Sequence, residues 1–133
     1  MTDQELLAIF DQQRVNRHIV AATDSVSRLR KLKKLRQYLL DHVDEACEAT
    51  KMDFGKPVAE TIIGELLVLI SEISYTIKHL HRWMKPERQS TPLTMTGTSA
   101  YIQYEPKGCT LIIAPWNYPI ALALKPLVSA IAA

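Results

Sequence analysis

The sequence predicts an α/β fold in which long N-terminal helices precede the first strand and helix of a parallel sheet. Three observations carry that prediction. Apolar residues recur at spacings of three and four over the first two thirds of the chain, the periodicity of amphipathic helices. Past Ser99 the pattern becomes strand-like and leads into the unbroken apolar run Cys109-Thr-Leu-Ile-Ile-Ala114, as expected of a strand covered on both faces. The chain also holds only four glycines in 133 residues, against roughly 7% in average proteins. Long helices tolerate that scarcity, and a loop-rich fold does not.

Each element follows in order. Thr2 with Glu5 three residues later predicts a capping box opening a short amphipathic helix through Leu6, Ile9 and Phe10. A second helix starts near Thr23 or Asp24, with Val26, Leu29, Leu32, Leu35, Leu39, Val43 and Ala46 in one stripe. Gly55 and Pro57 mark a sharp turn, so the next helix runs back antiparallel to the second. Its stripe is Ile62, Leu66, Leu69, Ile70, Ile73, Ile77, Leu80 and Met84. Helical from Pro57 to Met84, it is roughly 40 Å long at 1.5 Å per residue.

Gln89 to Thr98 is rich in Ser, Thr and Pro and reads as a connector. A strand is expected over Ser99–Glu105, then a type I turn over Glu105–Gly108, then the buried strand. Pro119 opens a last helix at its first position, carried by Ile120, Leu124, Leu127, Val128 and Ile131 and kinked at Pro126. A buried parallel strand followed by a helix is half of a unit that needs a second strand. The chain is therefore expected to be the N-terminal piece of something longer. It divides into a helical segment at 1–88, a connector and strand at 89–107, and the start of an incomplete domain at 108–133.

Composition excludes several function classes. The net charge of +2, with 47% hydrophobic and 23% charged residues, is that of an ordinary globular domain. It argues against a nucleic-acid partner and against an acidic disordered tail. The N-terminus has no basic start followed by an apolar run. The most apolar stretch, Ile62 to Ile70, is about half the roughly 20 residues a membrane span needs, so no transmembrane segment is expected. Two cysteines are too few for a disulfide framework and fit a reducing compartment, with the cytoplasm as the default.

The stretch from Glu105 to Ala133 resembles the aldehyde dehydrogenase superfamily. Glu105-Pro106, Gly108, Ile113, Pro115-Trp116-Asn117, Pro119, Leu124, Pro126-Leu127 and Ala130-Ile131-Ala132-Ala133 carry the resemblance. Asp53-Phe-Gly-Lys-Pro57, Glu60 and Trp83-Met-Lys-Pro86 look more particularly like the branch with fatty-aldehyde and coniferyl-aldehyde dehydrogenases. The resemblance covers about 51–133, and before that only helical character agrees.

That resemblance implies a Rossmann-like sheet beginning an NAD(P)-binding domain at 108–133, with NAD or NADP as cofactor and an aldehyde as substrate. It implies that Asn117 helps form the oxyanion hole, where a fixed amide N–H stabilises negative charge developing on the former carbonyl oxygen. Asn suits that task because it is a neutral donor at every pH. Ile113, Ala114, Pro115 and Trp116 would line the cofactor site at the strand's C-terminal end. The family's cysteine nucleophile and glutamate base lie beyond Ala133, and neither Cys47 nor Cys109 matches the nucleophile. The 133 residues alone are therefore expected to be inactive.

Plainer readings stand beside these. Asn117 could merely satisfy turn backbone groups, and Trp116 could be core packing. Arg28-Leu-Arg-Lys-Leu-Lys-Lys-Leu-Arg36 reads as the solvated face of a helix rather than a nucleic-acid or membrane-surface module. His79 and His81 are two apart and point different ways on a helix, so no metal site is expected. Cys47 and Cys109 read as packing residues. Tyr101, Ile102 and Tyr104 fit either a strand used in homo-oligomer formation or a strand in the chain's own sheet. The alternative to an enzyme segment is a naturally short, non-catalytic helical interaction protein derived from that family.

Overall fold

The computed structural model describes residues 2–133. Its first helix, α1 (Asp3–Ala21), opens on the expected capping box: the Thr2 side chain accepts from the Glu5 backbone N–H, and Glu5 accepts from the Thr2 N–H. It is 19 residues long rather than short, and it buries none of them. The second helix, α2 (Ser25–Asp41), is capped by Asp24, which accepts from the Ser27 N–H at 2.8 Å. The apolar stripe predicted to run on to Ala46 is divided at His42, whose φ of −119° and ψ of 30° leave the helical region. The chain resumes as α3 (Val43–Phe54). Spacings of four and three bridge the break, so periodicity alone does not reveal it.

Gly55 ends α3 with φ 70°, a left-handed conformation that suits glycine. Its N–H donates to the Lys51 carbonyl at 2.9 Å, and Lys56 is thereby turned inward. Residues 58–83 then form one helical rod with an internal change of pitch. It comprises α4 (Val58–Thr61), a π-helical stretch (Ile62–Leu67) and α5 (Val68–Trp83). The predicted span is right, and the π stretch within it is an addition that the stripe does not show.

The core lies where α2, α3 and the 58–83 rod meet α6 (Pro119–Ala132). Leu32, Leu39, Cys47, Leu66, Leu69, Ile73, Leu80 and Val128 form its buried cluster. The Arg36 Nε–H donates to Ser74 Oγ at 2.9 Å, and Ser25 Oγ lies 3.2 Å from His81 Nδ1. These contacts set α2 antiparallel to α5, as expected. Pro119 does open α6, which continues through Pro126.

Three expectations past residue 84 are corrected. The strand at 99–105 shortens to β2 (Ala100–Ile102), which pairs antiparallel with β1 (Glu87–Gln89), a strand not predicted. Its partner therefore comes from the chain itself, across the boundary drawn at residue 88. No turn forms over 105–108, where Gly108 has φ 108°. Residues 109–114 form no strand either. A strand exists only through ladder hydrogen bonds to a neighbour, and among the described residues nothing pairs with this run. The parallel, Rossmann-like sheet is thus absent from the described residues.

The basic run also departs from a uniformly solvated face. Arg28 is only 6% exposed. Its guanidinium donates to the Ala132 carbonyl at 2.9 Å, the Ala21 carbonyl at 3.2 Å and Thr23 Oγ1 at 3.3 Å. A cation at the C-terminal ends of α1 and α6 meets their unpaired carbonyls. Cys47 is buried as expected, whereas Cys109 is exposed. His79 stacks on Trp83 and lies tilted against Tyr75. Among the described residues no group of His, Cys, Asp and Glu could hold a metal, and no helix is long and apolar enough to cross a membrane.

Candidate functional site

The residues singled out by sequence, Ile113, Ala114, Pro115, Trp116 and Asn117, lie in the stretch leading to α6. Ile113 is 86% and Trp116 90% exposed within these 133 residues. Asn117 is exposed as well. A cavity of 920 Å³ lies elsewhere, against Arg28, Thr76, Trp83 and Tyr104, and none of 113–117 lines it. The described residues thus offer an apolar surface at 113–116.

Residues 117–121, which follow this surface, are held from beneath by an earlier part of the chain. The Lys56 ammonium and the Glu65 carboxylate form an ion pair of 2.6 Å, with side chains 2% and 0% exposed. Lys56 Nζ also donates to the Asn117 carbonyl at 3.0 Å. The Glu65 Oε2 atom accepts from the backbone N–H groups of Ile120 at 2.7 Å and Ala121 at 3.1 Å. Those are orphan donors at the first turn of α6, whose own N-cap residue, Tyr118, supplies no side-chain bond. A carboxylate also suits the positive end of a helix dipole. Glu65 therefore caps α6 from a distant part of the chain.

Tyr118 closes the arrangement. Its ring centroid lies 3.8 Å from Lys56 Nζ, within cation–π range, and its hydroxyl donates to Glu60 Oε1 at 3.4 Å. The ring sits so close to Gly64 that a Cβ there would lie 3.0 Å from Tyr118 Cε1. Gly64 and Glu65 belong to the π-helical stretch, and such local changes of pitch often occur at functional sites. A buried pair of this kind costs desolvation, and removing one partner typically costs about 3–5 kcal/mol.

Sequence reasoning missed Lys56 and Glu65 as site residues. A signal for Glu65 was present, because a single carboxylate inside the apolar run from Ile62 to Ile70 must find a partner if the helix is buried. Nothing in the sequence names Lys56 as that partner or the α6 amides as further ones.

The family model described as the aldehyde dehydrogenase family matches residues 2–133. The chain belongs to the aldehyde dehydrogenase family. An aldehyde dehydrogenase from Craterostigma plantagineum is 40% identical over 106 residues, 80% of this chain and 22% of that protein. A probable coniferyl aldehyde dehydrogenase from Pseudomonas aeruginosa is 35% identical over 130 residues, 97% of this chain and 27% of that protein. A solved structure of Staphylococcus aureus AldH in its substrate-bound state superimposes with a TM-score of 0.91 at 33% identity. That alignment covers 99% of this chain and 28% of the other. The chain spans about a quarter of the length of these relatives.

Proposed function

We propose that this chain is the N-terminal part of an NAD(P)-dependent aldehyde dehydrogenase, and that Asn117 supplies an oxyanion donor to it. The observation that carries the reading is the tethered turn. The Asn117 carbonyl is held by Lys56 and the following helix by Glu65, while the residue itself faces outward. Negative charge grows on the aldehyde oxygen when a nucleophile attacks the carbonyl carbon. A side-chain N–H carried on a backbone that is already held stabilises that charge with less reorganisation.

NAD or NADP fits the same reading. The exposed faces of Ile113 and Trp116 are apolar surfaces able to receive a flat ring, with Ala114 and Pro115 between them. The bound dinucleotide supplies the acceptor for the electron pair that leaves the aldehyde carbon. The chain's own part is to offer one wall of that site and to aim the Asn117 amide. The nucleophile and base belong to residues outside 1–133, so this segment alone is inactive. Assembly into a homo-oligomer and residence in the cytoplasm belong to the same proposal. The free thiols of Cys47 and Cys109 fit a reducing compartment.

The test is Asn117→Ala in the complete enzyme, assayed with benzaldehyde and with NAD+ and NADP+ in turn. Loss of one oxyanion donor typically costs about 100- to 1,000-fold in kcat, and that loss is expected here. An unchanged kcat would sink the assignment. The 133-residue chain should give no aldehyde-dependent NADH or NADPH, and turnover by it would refute the inactivity.

A further inference from the structure

Asn117 reaches outward from a stretch that no strand holds. Residues 103–115 form no regular structure, so its position is set from the other side. There the Lys56 ammonium meets three acceptors: Glu65 Oε1 at 2.6 Å, the Asn117 carbonyl at 3.0 Å and the Tyr118 ring at 3.8 Å. The second oxygen of Glu65 takes the Ile120 and Ala121 amides. One buried pair thus grips the backbone at Asn117 and again three and four residues later. An asparagine side chain has only two rotatable bonds beyond that backbone, so gripping it confines where the amide can point.

We propose that Lys56 and Glu65 are positioning residues for Asn117, the pair holding the 117–121 backbone so that the side-chain amide is aimed before substrate arrives. Its catalytic consequence rests on reading Asn117 as the oxyanion donor; its effect on the turn does not. The pair acts through Asn117 and touches no reacting atom.

The double variant Lys56→Met/Glu65→Gln separates positioning from folding. Replacing both charges by neutral groups of similar size leaves no buried ion unpaired, a change that often preserves stability. In the 133-residue chain, amide order measured by 15N relaxation should fall at Asn117 and Tyr118. Exchange of the Ile120 and Ala121 amides should rise about tenfold as a neutral acceptor replaces the carboxylate. The Leu32 and Leu69 amides should keep their protection. Unchanged order and exchange at 117–121 would overturn the proposal.

In the complete enzyme with benzaldehyde, kcat should fall about tenfold or more with KM nearly constant, as for an interaction realised in the transition state. Asn117→Ala should then cost less in the double variant than in the unaltered enzyme. Costs that simply multiply would mean the pair does not act through Asn117, and would also overturn the proposal. If Asn117→Ala alone leaves kcat intact, it is the oxyanion reading that fails, and the relaxation and exchange data still decide the pair's hold on the turn. Should the double variant not fold, Glu65→Asp keeps the charge, withdraws the carboxylate by one methylene and is read by the same measurements.

Discussion

Leu69 and Ile73 on α5 are alike in size and hydropathy to Leu111 and Ile113 in the extended stretch, yet their surroundings are opposite. The first two are fully buried, whereas Leu111 is 84% and Ile113 86% exposed. A helix satisfies its own backbone hydrogen bonds and needs only an apolar face to pack against, which α2 and α6 provide. A strand needs a neighbour for its backbone before its side chains can be covered. Burial in this chain therefore follows from where backbone bonding can be completed locally, and not from hydrophobicity alone. The tethered turn at 115–118 lies between the two regimes, irregular in backbone but gripped by the buried pair beneath it.

The sharpest way to break this contrast is truncation on each side of it. Leu69→Ala removes fully buried atoms and should cost about 2–5 kcal/mol, read as a fall in the midpoint of denaturant unfolding at constant slope. Leu111→Ala should change stability by no more than about 0.5 kcal/mol, as at other exposed positions. Equal costs would mean that residues 109–114 pack in solution as the core does.

The two thiols give the next largest effect. Burial, and secondarily the Asp44 charge, push the Cys47 thiol above its ordinary pKa, which lowers its reactive thiolate fraction at any given pH. Cys109 is exposed. Alkylation at neutral pH followed by peptide mass analysis should modify Cys109 about 100-fold faster than Cys47. Comparable rates would place Cys109 under cover and erase the difference between the regions at that point.

How far the sequence reveals these regions depends on the distance over which each is determined. Caps are local, and the Thr2–Glu5 box, a helix start near Thr23 or Asp24 and Pro119 at the start of α6 were all legible. The stripe from Ile62 to Met84 was legible because a helix repeats it. The break at His42 was not, since Leu39, Val43 and Ala46 keep helical spacing across it. The run from Cys109 to Ala114 has strand composition, but pairing partners are not written into a strand's own residues. Asn117 and its neighbours were found through a family resemblance. The Lys56–Glu65 pair joins residues nine apart to amides 55 and 56 residues beyond Glu65, a contact that no local pattern encodes.

Gly64 tests the gripped turn with a smaller effect. Alanine in a helix interior is favoured over glycine by roughly 0.5–1 kcal/mol, but the new Cβ would press on the Tyr118 ring at 3.0 Å. Overpacking typically costs about 1–3 kcal/mol. Gly64→Ala should therefore destabilise by about 1 kcal/mol net. In a Tyr118→Ala background, where the ring is gone, the same substitution should become stabilising by thermal melting. A stabilising effect in the unaltered chain would mean the ring moves freely, and the turn is held less firmly than the contacts indicate.

The smallest expected effect belongs to the cap of α2. Hydrogen bonding by Ser27, its side chain first and its backbone N–H second, holds the Asp24 carboxyl below its ordinary pKa. A depressed folded-state pKa means the unfolded chain binds the proton more readily. Its contribution to stability is complete above the ordinary carboxylate range and is lost as pH falls through the lower, folded value. Asp24→Asn keeps a capping oxygen but cannot ionise. Below neutral pH the unaltered chain should thus lose slightly more thermal stability than the variant, with the difference developing only below about pH 4. Superimposable melting profiles across that range would show that the exposed cap carries no pH dependence.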